Sequence, residues 1–209
     1  FVKVKMELET IKESCINGSS EMVTDISSGI VTFLFNIVMM KYMGEKGVAA
    51  ITIILYSQFV FIAVYLGFSM GTAPIISYNY GNKNQKQLKR IFNICSKLIM
   101  NSSIGVFIIS LIFAKYIVGF FTPEGTEVYE IAKKGFSLFA IGYIFAGYNI
   151  FSSSLFTALS NGKISAVISF MRTLVFIVIG IFLLPLIFKV NGIWLAVPFA
   201  EILSILVSL

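Results

Sequence analysis

The chain has 209 residues, 57% of them hydrophobic and 12% charged, with a net charge of +6 and a mean hydropathy of +0.92. Soluble domains carry about a quarter charged residues, so this composition excludes a soluble or disordered chain and points to an all-α integral membrane protein. The Lys and Arg residues fall between apolar runs, so they read as topology determinants facing anionic membrane lipid, and no nucleic-acid partner is expected.

Histidine is absent, which removes a histidine base or metal ligand. Cys15 and Cys95 fit neither a metal-ligand spacing nor a disulfide framework, and both are expected to be buried free thiols. The chain opens at Phe1 and stops at Leu209 inside an apolar run, and so reads as an excerpt of a longer protein.

Residues 1–17 place Val4, Leu8, Ile11 and Cys15 at helical spacing, with Lys3, Lys5, Glu7, Glu9, Lys12 and Glu13 largely elsewhere. This predicts an amphipathic connecting segment on the cytoplasmic surface. Asn17-Gly18-Ser19-Ser20 is expected to break it and cap the next helix.

The first span is predicted over about 20–42 and is the most polar of the set. Glu21 and Asp25 are four residues apart and share one helix face, with Gly29, Thr32 and Asn36 continuing close to that stripe. Ionisable groups at membrane depth are costly and usually face the bundle interior or a water-filled pathway. Two carboxylates side by side repel each other, which suits a group that must bind and release a proton or cation. Asp25, and after it Glu21, are therefore the candidate ion-coupling residues, with Na+ a possible ligand at Asp25. The plainer reading leaves them as first-turn acids at the interface. Asn36 lies along the same stripe and is a candidate to line a cavity.

The second span is predicted over about 48–73. Gln58 is expected to line a cavity or to make a helix–helix hydrogen bond. Pro74 should disturb the helix near its end, Tyr78 and Tyr80 suit the headgroup level, Gly81 suits a C-cap, and Asn82 or Asn84 suits an N-cap. Lys83, Lys86, Lys89 and Arg90 then mark a cytoplasmic loop. The third span covers about 91–118, with Lys97 able to snorkel to the headgroups, and an acidic turn follows over 122–130.

The fourth span, about 131–159, carries Tyr143, Tyr148 and Asn149 as further cavity-lining candidates, followed by Ser152, Ser153, Ser154 and Thr157. Gly135, Gly142 and Gly147 permit close helix approach. The fifth span, about 164–188, contains Arg172 and Pro185. The sixth, about 193–209, opens on Trp194 as an interface anchor and continues through Pro198 and Glu201. Six spans with the N-terminal end in the cytoplasm put ten Lys and Arg inside and six outside, a bias of the right sign. Arg172 then lies roughly 12 Å from the cytoplasmic edge and Glu201 roughly 16 Å from the opposite one in a ~30 Å core. Their depths nearly match, so the two are expected to pair across antiparallel helices, as structural glue or as a switch.

The run Gly71-Thr72-Ala73-Pro74-Ile75-Ile76-Ser77-Tyr78-Asn79-Tyr80-Gly81-Asn82-Lys83-Asn84 resembles the G-x-x-P-(I/L)-(I/V)-x-Y-N-Y-G-A-x-N pattern of the MATE (multidrug and toxic compound extrusion) transporters. Leu159-Ser160-Asn161-Gly162-Lys163, Ser169-Phe170-Met171-Arg172, Leu184-Pro185 and Gly192 to Glu201 are similar to the end of the family's second half, in order. The resemblance implies the C-terminal six-helix lobe, residues 18–209, of a twelve-helix inverted V-shaped transporter, with 1–17 joining it to an N-terminal lobe. It implies a cation-coupled antiporter in the cytoplasmic membrane that exports organic cations or drugs by alternating access, with Na+ or H+ as coupling ion, no cofactor and no enzymatic activity. Some members carry a functional acid in the first helix of this lobe, which Glu21 or Asp25 would supply. Others place one in the fourth, where this chain has none between Tyr143 and Thr157.

Phe35, Met39, Tyr143 and Tyr148 would suit a permissive pocket for cations. A flippase for lipid-linked precursors is the alternative, although only one cation, Arg172, lies deep. A non-transport assembly subunit is the third reading. No nucleophile–base pair, metal cluster or phosphate loop favours catalysis, so no catalytic residue is assigned.

Overall fold

The computed structural model describes residues 8–208. The readings on Lys3, Val4, Lys5, Glu7 and Leu209 lie outside the described residues. Within them the chain is helical almost throughout: α1 (Leu8–Asn17), α2 (Ser19–Gly81), α3 (Gln85–Phe121), α4 (Glu127–Phe139), α5 (Tyr143–Ala158), α6 (Gly162–Phe170), α7 (Phe176–Phe188) and α8 (Val190–Ser208). A 3₁₀ turn at Ala140–Gly142 joins α4 to α5, and a π turn at Met171–Val175 joins α6 to α7. Five continuous helical stretches are long and apolar enough to cross a membrane, and the first, Ser19–Gly81, is long enough to do so twice.

That division happens at Gly44. Its φ of 64° and ψ of −156° lie outside the helical region and in one that glycine reaches without steric cost. Thr24, Ser28 and Thr32 before it and Leu55, Phe59 and Ile62 after it line the same hollow, so the two parts of α2 run antiparallel, at nearly equal distances on either side of the glycine. With α3, α4–α5, α6–α7 and α8 this makes six spans. The connections are short: residues 82–84, 122–126, 159–161 and 189.

Side chains cap the starts of α3, α4 and α6, the last through Asn161. Asn84 caps α3, its Oδ1 accepting from the Gln87 amide at 3.1 Å, and Thr126 caps α4 through the Tyr129 amide at 3.2 Å. Two expectations need correction. No side chain caps the start of α2: Ser19 Oγ instead donates back to the Ile16 carbonyl at 2.7 Å, so the chain passes from α1 to α2 with hardly a break. Pro74 lies inside the last two turns of its helix, which runs on to Gly81. The left-handed residue after it is Lys83, with φ 54°, rather than Gly81.

The core collects apolar residues from every span around Phe35, Tyr65, Phe136, Phe151 and Trp194. Trp194, expected at the interface, is 1% exposed. It is buried because Gly135 on α4 leaves room for the indole to lie against the helix backbone. Gly147 likewise admits Tyr65 and Ser103: a Cβ there would meet Ser103 Oγ at 2.2 Å and the Tyr65 ring at 3.0 Å. Of the two thiols, Cys95 is buried, but Cys15 is exposed, because α1 buries none of its residues against the lobe.

Candidate functional site

The fifth span is not regular where Arg172 sits. The π turn Met171–Val175 widens the helix by one residue per turn, a distortion that often marks functional positions. From it Arg172 Nη1 donates to Glu201 Oε1 on α8 at 3.0 Å. Asn149 on α5 completes the arrangement. Its Nδ2 donates to Glu201 Oε2 at 2.7 Å and to the Glu201 backbone carbonyl at 2.9 Å. One carboxylate is thus held on both oxygens by groups from two other spans.

Glu201 is 4% exposed and Asn149 is fully buried. Two charges in so dry a place are tolerable only when paired and hydrogen-bonded, since desolvation of either alone costs several kcal/mol. The satisfaction is incomplete: Arg172 Nε and Asn149 Oδ1 are buried without a partner. Such a network is rigid while intact and has spare capacity for one more donor and one more acceptor.

The pair borders a cavity of about 150 Å³ between the two arms of α2, the π turn, α7 and α8. Thr24, Ser28 and Thr32 supply hydroxyls along one wall, Gln58 an amide, and Phe35, Phe59 and Ile62 an apolar lining. Two other hollows differ in kind. One of about 540 Å³ lies where α1 meets the 159–161 turn, beside Asn17 and Lys163. The other, about 360 Å³, is an apolar groove among Tyr56, Phe113 and Phe120.

Among the residues singled out from sequence, the structure brings Arg172, Glu201 and Asn149 into one network, and Gln58 and Phe35 to the cavity it borders. Tyr143 does not line a cavity. It is packed in the core with its ring 5.0 Å from that of Phe61, and its carbonyl accepts from Tyr65 Oη at 2.9 Å. Met39 is also core. Tyr148 is half-buried against the core and Asn36 half-buried with an unpartnered Oδ1, neither at the cavity wall. Glu21 and Asp25 are on the exposed surface of the lobe, Glu21 accepting from Ser20 Oγ at 2.7 Å. No three His, Cys, Asp or Glu converge among the described residues.

Sequence reasoning passed over a cluster of buried hydroxyls. Ser153 Oγ lies 2.8 Å from both Ser165 Oγ and Ser169 Oγ, and Ser165 Oγ lies 2.8 Å from Thr157 Oγ1. The signal was present: Asn149, Ser153 and Thr157, like Ser165, Ser169 and Thr173, recur every fourth residue and so form polar stripes on facing helices.

The MatE family model matches residues 22–182, more than three-quarters of the chain. The chain belongs to the MatE family. It is therefore a segment of a multi-pass membrane transporter. A search of curated proteins gave no match. Among solved structures, the outward-facing conformation of a multidrug resistance MATE family transporter of the MOP superfamily superposes with a TM-score of 0.89 at 19% identity, covering 99% of this chain and 46% of that one. The inward-facing conformation of such a transporter gives 0.84 at 21% identity over 98% and 47%. A MOP superfamily transporter from Pyrococcus furiosus gives 0.87 at 20% identity over 98% and 46%. At these identities the likeness speaks for the fold. The chain spans about half the length of each, which makes it one six-helix lobe.

Proposed function

We propose that the chain is the C-terminal lobe of a cation-coupled antiporter that exports organic cations across the cytoplasmic membrane by alternating access. In this reading an N-terminal lobe of the same protein forms the other wall of the substrate path, α1 lies on the cytoplasmic side, and Na+ or H+ flows inward to drive export. What supports it most is Glu201: a buried carboxylate at membrane depth, beside a cavity, held by Arg172 and Asn149. A proton or cation arriving there competes with Arg172 for the same oxygens, so its arrival and departure would loosen and re-form the tie between α8 and the π turn.

Asp25 and Glu21 are in this reading further, exposed coupling acids, Asp25 next in sequence to the cavity residue Thr24. A Na+ at Asp25 would find the Glu21 carboxylate one turn away on α2 and draw its remaining oxygens from outside the lobe or from water. A flippase for anionic headgroups gains little support, since Arg172 is already committed to Glu201. The test is retention of a fluorescent organic cation in efflux-deficient bacteria expressing the full-length parent. Wild type should lower retention and Glu201→Gln, expressed equally, should not. Unchanged retention with wild type would overturn the exporter reading. Collapse of export by a protonophore but not by a Na+ ionophore would assign H+, and the converse Na+.

A further inference from the structure

A line of hydrogen-bonded groups crosses the lobe from the α1 end toward the cavity. Ser20 Oγ donates to Glu21 Oε2 at 2.7 Å and lies 3.3 Å from Thr157 Oγ1. Thr157 Oγ1 is 2.8 Å from Ser165 Oγ, Ser165 Oγ is 2.8 Å from Ser153 Oγ, and Ser153 Oγ is 2.8 Å from Ser169 Oγ. Ser20, Ser153, Ser165 and Ser169 are all buried. One turn beyond, Thr173 Oγ1 donates to the Ser169 carbonyl at 2.7 Å and lines the cavity with Glu201. One turn before Ser153, Asn149 holds the Glu201 carboxylate.

Hydroxyls on membrane helices ordinarily bond back to the carbonyl four residues earlier, as those of Thr24, Ser28, Thr32 and Ser57 do here. The run from Ser20 to Ser169 also ties α2, α5 and α6 to one another, and within it the Ser153 carbonyl accepts from Ser165 Oγ at 2.8 Å and from Thr157 Oγ1 at 3.3 Å. Each of its four hydroxyl–hydroxyl contacts admits either oxygen as donor, and a hydroxyl has one proton to give and two lone pairs to receive one. At one end the run reaches a carboxylate exposed on the lobe surface. At the other it ends at Ser169, one helical turn before Thr173 on the wall of a cavity of about 150 Å³, which has room for about five waters at ~30 Å³ each.

We infer that this hydroxyl run is a proton path that carries H+ between Glu21 and Glu201. The inference rests on the coupling role proposed for Glu201 and narrows the coupling ion to the proton. A Na+ within the run would have to part oxygens already in hydrogen-bond contact. The transfer balances without any other reactant. A proton binds the Glu21 carboxylate and passes to Ser20 Oγ as the Ser20 proton shifts to Thr157 Oγ1. Thr157, Ser165, Ser153 and Ser169 each take one proton and release one. From Ser169 the proton crosses one helical turn to water beside Thr173 and then reaches the Glu201 carboxylate, which becomes a neutral acid and leaves Arg172 without its counter-charge. The hydroxyls then turn back. The other charged groups around the path are Glu13 on α1, Asp25 on α2 and Lys163 on α6 at the Glu21 end, and Arg172 at the cavity end.

The experiment follows the infrared carbonyl band of protonated Glu201 after an acid jump, using the full-length parent in lipid vesicles and Glu201→Gln to identify the band. Ser165→Ala should reach the same end point as wild type roughly a hundredfold more slowly, the low end of what a positioned proton-transfer group contributes. Ser165→Thr should restore the rate, and Ser110→Ala, a buried hydroxyl bonded within α3, should leave it unchanged. Thr157→Val serves as a second break in the run should Ser165→Ala fail to fold. Equal rates in wild type and the folded break variant overturn the path, as does a wild type in which no Glu201 band rises. No organic cation is present, so a parent that fails to export drugs defeats the exporter reading while this result stands or falls on its own.

Discussion

Gly135 on α4 and Trp194 on α8 meet face to backbone: a Cβ at Gly135 would lie 2.7 Å from two atoms of the indole. A buried ring of that size cannot retreat without moving α8, which also carries Glu201. Gly135→Ala is therefore expected to destabilise the lobe by about 1–3 kcal/mol through overpacking and to lower the melting midpoint in detergent. An unchanged midpoint would show that α8 can shift freely.

Arg172 and Glu201 should behave as a pair under mutation. Losing one partner leaves the other charge buried and alone, at about 3–5 kcal/mol. Arg172→Met or Glu201→Leu alone should reduce the folded yield sharply. The double substitution should recover much of the stability and none of the export, measured by size-exclusion profile and by retention of a fluorescent cation. Recovery of export in the double variant would make the pair purely structural.

Asp25 is exposed on the lobe and makes no hydrogen bond or ion pair among the described residues. Asp25→Asn should leave the melting midpoint within about 1 °C of wild type, because surface substitutions away from such features change stability little. Its effect on cation retention is the informative quantity. A loss of export at unchanged stability assigns it a coupling role, and full export leaves coupling to Glu201.

The two thiols should separate cleanly under a water-soluble maleimide. Cys15 is exposed and Cys95 buried, so a Cys15→Ser variant of the lobe should lose labelling and a Cys95→Ser variant should keep it. In sealed, oriented vesicles Cys15 should label from the cytoplasmic side alone. Labelling from the outside would reverse the proposed topology.

The six spans were legible because each is a long apolar run bounded by Gly, Asn or charge, a signal that survives without tertiary knowledge. The contact of Arg172 with Glu201 was anticipated by depth alone, since two charges at one level of a thin slab have few other ways to be satisfied. Trp194 was misplaced because the interfacial preference of tryptophan is statistical, whereas the room made by Gly135 is a property of two particular helices. Tyr143 is expected at a cavity because its ring suits a pocket for cations, but the aromatic rings of Phe61 and Phe139 claim it for the core. The hydroxyl run escaped notice because serine is common in such helices. Only the facing of α5 and α6 turns two ordinary stripes into one connected line.

The turns joining these helices give the lobe a mechanical character. None is longer than the five residues 122–126, and Gly44 alone reverses the chain between the first two spans. No flap or lid among the described residues can swing while the rest stays still. Movement inside the lobe is then left to the helices themselves, at the π turn and at the prolines within them. The grip nearest its N-terminal end is Asn17, whose backbone is seated against Gly162 and whose amide donates to the Thr157 carbonyl at 3.2 Å. A pull on α1 is thus delivered straight to the turn between the fourth and fifth spans, so α1 acts on the lobe as a handle rather than as a slack tether.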